Sequence, residues 1–338
     1  MKYGKFITLG IETSCDETSI AVVAEGREIL SNVISSQIDI HTKFGGVVPE
    51  IASRHHLQDI NGAIEDAMKE ADVDFADIDL IGVTNGPGLI GALVIGVATA
   101  KALSFATGIP LVGVNHMHGH ISANYLQYAE LKPPFLTLIV SGGHTNLVYV
   151  TDYNKCEVIG GTRDDAVGET YDKVARVMGL GYPGGPKVDR AAKDGNPDAI
   201  EFKRVMLEKN SFDFSFSGLK TQVLNHVNRE KMAKKDLYIP DVCASFQQSV
   251  TDVLVEKTMR AAAKYETDRI AVAGGVAANS ALRDALEKRC REKNIKLYLP
   301  KPVLCTDNGA MIGSAAYYQY KAQGADDLFL DAHAGLPF

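Results

Sequence analysis

The chain is poor in the features that mark several large classes of protein. Its five cysteines (Cys15, Cys156, Cys243, Cys290, Cys305) are odd in number, scattered, and form no CxxC pair. That argues against a disulfide framework and a cysteine-type zinc site, and for a reducing compartment. No GxxxxGK(S/T) run occurs, which excludes a P-loop protein. Positive charge is also short: 35 Lys and Arg face 42 Asp and Glu, a formal net charge of -7. No global field therefore advertises a nucleic acid. Basic residues gather only locally, at Arg54-His55-His56, in NREKMAKK at 228–235 and in EKRCREKNIK at 287–296. On charge alone each reads as a solvated helix face or loop. No secretory signal opens the sequence, since MKYGKFITLGIETS runs straight into Glu12. The longest apolar helix candidate, 91–108, is interrupted by Lys101 and is short for a membrane span. The expected location is the cytoplasm.

What is present is an ordinary globular composition, 46% apolar with 31 glycines, in 338 residues, which suggests roughly two domains. Strand and helix patterns alternate. KFITLGIET and SIAVVAE read as strands joined by a turn at 14–17. A helix is expected over 50–70, a strand over 79–85, the apolar helix over 91–107 and a buried strand over 110–114. Asn115 then caps a helix to about 128. Strands follow at 135–142, 145–151 and 156–162, and helices near 168–178 and 243–264. A strand at 269–275, a helix from Asn279, a strand at 296–300 and a last helix capped by Asp307 complete the pass. Such alternation implies an α/β fold. One echo stands out: FITLGIETSCDETSIAVV and LTLIVSGGHTNLVYV share a plan of strand, small and hydroxyl tip, strand. A duplicated hairpin suggests two related lobes, with tips whose backbone N–H groups can approach an anion.

GPGLIG at 86–91 matches GxGxxG, but it carries Pro87 and lacks the acidic residue a dinucleotide site expects, so it reads as a tight turn. AVAGGVAANSALR at 271–283 places Gly274-Gly275 before a helix start, where a ring or phosphate can lie on the backbone; the blander reading is a glycine turn with an Asn cap. GYPGGPKVDRAA at 181–192 reads as a Gly/Pro loop followed by Asp189, and Asp172 falls early in a helix. In NHMHGH at 115–120, His116 and His120 share one helix face, whereas His118 points nearly the opposite way. A protease of the HExxH kind is excluded, because position 117 is Met where the glutamate base belongs. Two such histidines are more often surface residues than ligands. As a metal site they need a third ligand, for which Asp307 is the best carboxylate; that donor set suits iron or zinc.

These pieces occur together in one family. IETSCDET at 11–18, NHMHGH at 115–120, VSGGHTNL at 140–147, GETYDKVAR at 168–176, YPGGPKVD at 182–189, FSFSGLKT at 214–221, GGVAANSALR at 274–283 and CTDNGAMI at 305–312 resemble the tRNA threonylcarbamoyltransferase (TsaD) family, formerly labelled O-sialoglycoprotein endopeptidase. The resemblance runs over nearly the whole chain, and His144 marks the bacterial branch. It implies a two-lobed actin-like fold, shared with sugar kinases and heat-shock chaperone ATPases. The corresponding expectation is lobe I at 1–130 with 308–338 packed back onto it, lobe II at 131–307, and ligand and metal in the cleft between. It implies one divalent metal ion, iron first and zinc second, on His116, His120 and Asp307. Substrate contacts carry over to Ile139, Val140, Ser141, Gly142, Gly143, Asp172, Gly185, Asp189 and Asn279.

The reaction so implied transfers threonylcarbamoyl from threonylcarbamoyl-AMP to the exocyclic amine of the adenosine beside the anticodon, in tRNAs reading codons that begin with A. The donor is a mixed anhydride with an activated carbonyl, so no covalent enzyme nucleophile is required. The site has to place two reactants together and steady developing charge. Glu12, on the first tip, is the catalytic candidate for steering the amine or its proton. Implied partners are tRNA, a paralogue of the same fold (TsaB) and a small ATPase (TsaE). A sugar or acetate-type kinase and a non-enzymatic nucleotide-binding scaffold are the rival classes on this fold.

Overall fold

The computed structural model describes residues 4–205, 208, 210–234 and 236–338. Elements follow in the order β1 Ile7–Glu12, β2 Glu17–Ala24, β3 Glu28–Ser36, α1 Ile38–Thr42, α2 Pro49–Glu70, β4 Leu80–Gly86, α3 Ile90–Thr107, β5 Leu111–Asn115 and α4 His116–Gln127. Then come β6 Phe135–Val140, β7 Thr145–Asp152, β8 Lys155–Gly161, α5 Val167–Val177, α6 Gly184–Ala192, α7 Ser217–Met232 and α8 Ile239–Lys264. The chain finishes with β9 Arg269–Ala273, α9 Ser280–Glu292, β10 Lys296–Tyr298, α10 Pro302–Cys305 and α11 Gly309–Gln323. It divides into two compact units, Met1–Pro133 with Asp152–Lys155 and Val303–Phe338, and Pro134–Thr151 with Cys156–Pro302.

Each unit is built on one five-stranded sheet, and the two sheets have the same plan. The first runs β3-β2-β1-β4-β5 and the second, read from its other edge, β8-β7-β6-β9-β10. In both, the unit's first strand lies at the centre, paired antiparallel to the second and parallel to the fourth. The echo between the two sequence hairpins is thus an echo of whole sheets.

In the first unit the central strand is covered on both faces, so β1 is buried at every position. Its two-residue period sorts the side chains. Ile7, Leu9 and Ile11 join Ile60 and Ile64 of α2 and Leu93 and Val97 of α3 in one core. The alternate residues Thr8, Gly10 and Glu12 turn to the other face. There α11 lies so close that a Cβ on Gly10 would stand 2.2 Å from the Gly309 carbonyl oxygen and 2.5 Å from the Gly313 nitrogen. A second core forms on that side from Val112 and Val114 of β5, Ala123 of α4, and Met311 and Ile312 of α11. Glu12 therefore ends its strand facing the N-terminal ends of α4 and α11.

Several expectations need correction. The stretch 184–192 is a helix, α6, and not a loop; the glycines and Pro186 occupy its first turn, where a missing N–H costs nothing. Asp307 does not cap the last helix. Asn308 does, its side-chain oxygen accepting from the Met311 N–H. β3 and α7 had no counterpart in the sequence reading, because neither carries a clean apolar period: β3 is mostly half-buried and α7 buries only Leu219, Val223 and Val227. His56 is not on a solvated face. It is fully buried, with Nδ1 2.8 Å from Thr18 Oγ1 and Nε2 2.9 Å from the Cys15 carbonyl oxygen. Of the basic run at 228–235, Lys235 lies outside the described residues.

Candidate functional site

The metal candidates assemble at one end of the first sheet. β5 delivers Asn115, whose side chain accepts the Met117 N–H and starts α4. One helical turn separates His116 from His120, so both rings face the same way; their centroids lie 4.6 Å apart. Asp307 arrives from the segment before α11, its Oδ1 3.5 Å from His116 Nε2 and 3.3 Å from His120 Nε2. One ligand atom from each of the three falls within 4.8 Å of the others. Because Asn308 does the capping, the Asp307 carboxylate is left to face the histidines.

The donor set fits a metal ion on a further ground. His120 is fully buried, and neither of its ring nitrogens has a hydrogen-bond partner. A buried unsatisfied polar group costs roughly 1–3 kcal/mol, and a cation held by Nε2 removes part of that cost. His118, by contrast, faces the ring of Phe338 at 5.0 Å, and burial pushes its imidazole down.

Glu12 is fully buried behind His116. One carboxylate oxygen accepts the Ser14 N–H; the other accepts the Thr84 hydroxyl at 2.6 Å and lies 3.1 Å from His116 Nδ1. Burial alone pushes such a carboxyl up, but the His116 ring and the Thr84 hydroxyl outweigh it and hold Glu12 low. Burial likewise disfavours a charged His116, yet Asp307 and Glu12 raise it to about 9. Ser14 and Thr84 had no sequence signal as site residues: Thr84 meets Glu12 across 72 positions, through strand pairing alone.

The candidate ligand residues of the second unit gather where parallel β6 and β9 end, the edge at which open α/β sheets bind ligands. Ile139 and Val140 are buried at the end of β6. Ser141 closes a tight turn, its N–H donating to the His144 carbonyl and its hydroxyl accepting the His144 N–H. Gly274, at φ 87°, stands at the tip of β9; a Cβ there would meet the Val140 carbonyl oxygen at 2.4 Å. Around this edge Gly142, Gly143, Gly185 and Gly275 all face open space. Asp172 of α5 accepts the Gly184 N–H at 2.6 Å, and burial pushes its carboxyl up. Asp189 of α6 accepts the Ser280 hydroxyl at 2.7 Å. Asn279 caps α9 by accepting the Leu282 N–H and donates to Gln247 at 2.9 Å. Asp172 thus ties α5 to α6, Asp189 ties α6 to α9, and Asn279 ties α9 to α8. Gln247 is a buried neighbour that its position within α8 did not reveal.

Paired sheets with repeated strand order define the class. Solved structures of the same architecture include full-length HypF in its phosphate- and nucleotide-bound form, at TM-score 0.63 and 14% identity over 95% of this chain and 47% of that one. They also include component A of the Acidaminococcus fermentans (R)-2-hydroxyglutaryl-CoA dehydratase, at TM-score 0.55 and 15% identity over 94% and 98% of the two chains. The fold is of the actin-like ATPase class. Within that class sequence is decisive: the family described as tRNA N6-adenosine threonylcarbamoyltransferase (TsaD) matches residues 28–314. Proteins of that name from Clostridium kluyveri and Clostridium perfringens are 58% and 54% identical, over 96% and 98% of this chain and 95% and 98% of theirs. This chain belongs to the TsaD family of tRNA-modifying transferases.

Proposed function

We infer that this chain transfers threonylcarbamoyl from threonylcarbamoyl-AMP to N6 of the adenosine beside the anticodon, in tRNAs reading codons that begin with A. The observation that carries the reading is the convergence of His116, His120 and Asp307 in a chain whose family match spans residues 28–314. In the reaction the amine nitrogen bonds to the carbonyl carbon, the carbon–oxygen bond to phosphate breaks, AMP departs and the amine loses a proton. A bound metal ion supplies Lewis acidity toward a carbonyl or phosphate oxygen. Two imidazoles and one carboxylate suit iron(II) first and zinc second.

The open backbone at Gly142, Gly143, Gly185 and Gly275 supports an adenylate held along the β6 and β9 tips. Ile139, Val140 and Ser141 build that edge, and Asp172, Asp189 and Asn279 fix the helices that border it. The working location is the cytoplasm, where tRNA and reduced thiols are found; among the described residues the five cysteines form no disulfide. For partners, we assign α3 to pairing with a TsaB-type paralogue, and a TsaE-type ATPase to resetting the complex. Contrary to the expectation from sequence, α3 is long and apolar enough to cross a membrane, and it is the only such helix among the described residues. Its inner face packs into the core through Leu93 and Val97, while Ile90, Val94 and Phe105 are 51%, 45% and 79% exposed. An apolar outer face on an otherwise packed helix is what a protein partner covers. The test is mass spectrometry of tRNA nucleosides after incubation with threonylcarbamoyl-AMP. Unmodified adenosine in the presence of both helpers and metal would refute the reading.

A further inference from the structure

We propose that Glu12 is a positioning residue for the metal centre: it holds the His116 ring with the Nδ1 proton inward, so that Nε2 is presented to His120 and Asp307. The assignment rests on the metal reading above and deepens it. A side chain that steers a substrate amine has to reach the substrate, and Glu12 has no exposed surface. Its oxygens are already taken up by the Ser14 N–H, the Thr84 hydroxyl and the His116 ring. Both Glu12 oxygens already act as acceptors, one toward the Ser14 N–H and the other toward the Thr84 hydroxyl. The group facing it at 3.1 Å, His116 Nδ1, is therefore the donor. Ser14 Oγ, also 3.1 Å from Nδ1, supplies a second acceptor on the same side. With a proton kept on Nδ1, Nε2, the nitrogen that faces Asp307, is the one that gives up its proton and offers its lone pair when a cation binds. This is the carboxylate–histidine–metal arrangement, in which the outer carboxylate fixes the tautomer and strengthens the ligand.

The two histidines differ in this respect. His120 has no carboxylate behind it: neither of its ring nitrogens makes a hydrogen bond, its Nε2 faces Asp307 Oδ1 at 3.3 Å, and its ring stands edge-on to His116 at 79°. Thr84 completes the chain of control. It sits on β4 beside β1 and locks the Glu12 oxygen that meets the ring.

Glu12→Gln tests the assignment. The amide has one accepting oxygen where three donors converge, so its NH2 end opposes one of them. The metal-free chain is titrated with zinc and, separately, with iron(II) against a chromophoric chelator, and the zinc-loaded histidines are read by 15N NMR. Glu12→Gln is expected to weaken zinc binding by about 10–100-fold and to displace the His116 Nδ1 proton signal. Thr84→Val, which keeps the strand, is expected to weaken it several-fold and keeps the test alive should the Gln variant fail to fold. Zinc bound equally by wild type, Glu12→Gln and Thr84→Val, with product formation lost in Glu12→Gln, overturns the assignment and makes Glu12 a direct participant. A wild-type chain that takes up neither zinc nor iron(II) overturns the metal reading, and this assignment with it.

Discussion

At the scale of single residues, the three histidines of one short motif have two different fates. His116 and His120 converge on Asp307, whereas His118 meets Phe338. His116→Ala or His120→Ala is expected to empty the metal site and abolish tRNA modification, while His118→Ala keeps the metal. Elemental analysis of the purified variants decides it; full occupancy in the double variant His116→Ala, His120→Ala would remove the assignment. In the second unit, Gly143 has ordinary backbone angles and open space at its Cβ position. Gly143→Val should therefore leave the unfolding temperature unchanged and lower affinity for AMP or a stable adenylate analogue, measured by calorimetry. Unchanged affinity moves the phosphate elsewhere.

At the scale of elements, the position of α11 governs the candidate metal centre, because Asp307 is carried by the segment that precedes it. Gly10→Ala would force the helix away from β1, since its Cβ has no room against Gly309 and Gly313. Overpacking of this kind costs about 1–3 kcal/mol. The expected result is a lower unfolding temperature together with reduced metal occupancy. Asn308→Ala removes the helix cap and is expected to cost about 1 kcal/mol in chemical denaturation. In the second unit Lys173 and Lys220 bind Asp165, joining α5 and α7. Burial raises that carboxyl, but the two lysines outweigh it and hold it below its ordinary 3.8. A depressed carboxyl stabilises above its unfolded value and loses that contribution as pH falls through its folded value. Lys220→Met should thus be less stable than wild type at neutral pH, by about 1 kcal/mol or less for a pair at the surface and only partly buried. The gap should close in acid unfolding curves below pH 3.8.

At the scale of the whole molecule, a net charge of -7 leaves few phosphate contacts to the chain itself. Alone with threonylcarbamoyl-AMP and tRNA it is expected to give little product; a TsaB-type partner should raise the yield, and a TsaE-type ATPase with ATP should permit repeated turnover. Product per enzyme over time, with each helper added in turn, is the measurement. Full turnover by the lone chain removes the dependence and leaves the transferase intact. Phe105→Asp, on the exposed face of α3, should abolish stimulation by the paralogue without changing metal content. A variant still stimulated in full moves the pairing surface elsewhere.

The sequence by itself determined the order of most elements, the α/β class and the family. Local periodicity is written residue by residue, and the eight motifs stand in fixed order. It also determined that His116 and His120 share a face, since a spacing of four is one helical turn. Only the tertiary structure decided what surrounds them. The period of β1 sends Glu12 toward α4, but the meeting of Glu12 with Thr84, Ser14 and His116 spans up to 104 positions and depends on which strands pair. No local pattern distinguishes Asp307, which faces the two histidines, from Asn308, which caps α11, because both are good capping residues. No pattern revealed α6 either, because its glycines and proline read as a loop until packing against α5 and α8 makes them a helix. Through-space partners become neighbours only when strand order and helix packing are set, and that information lies in the fold.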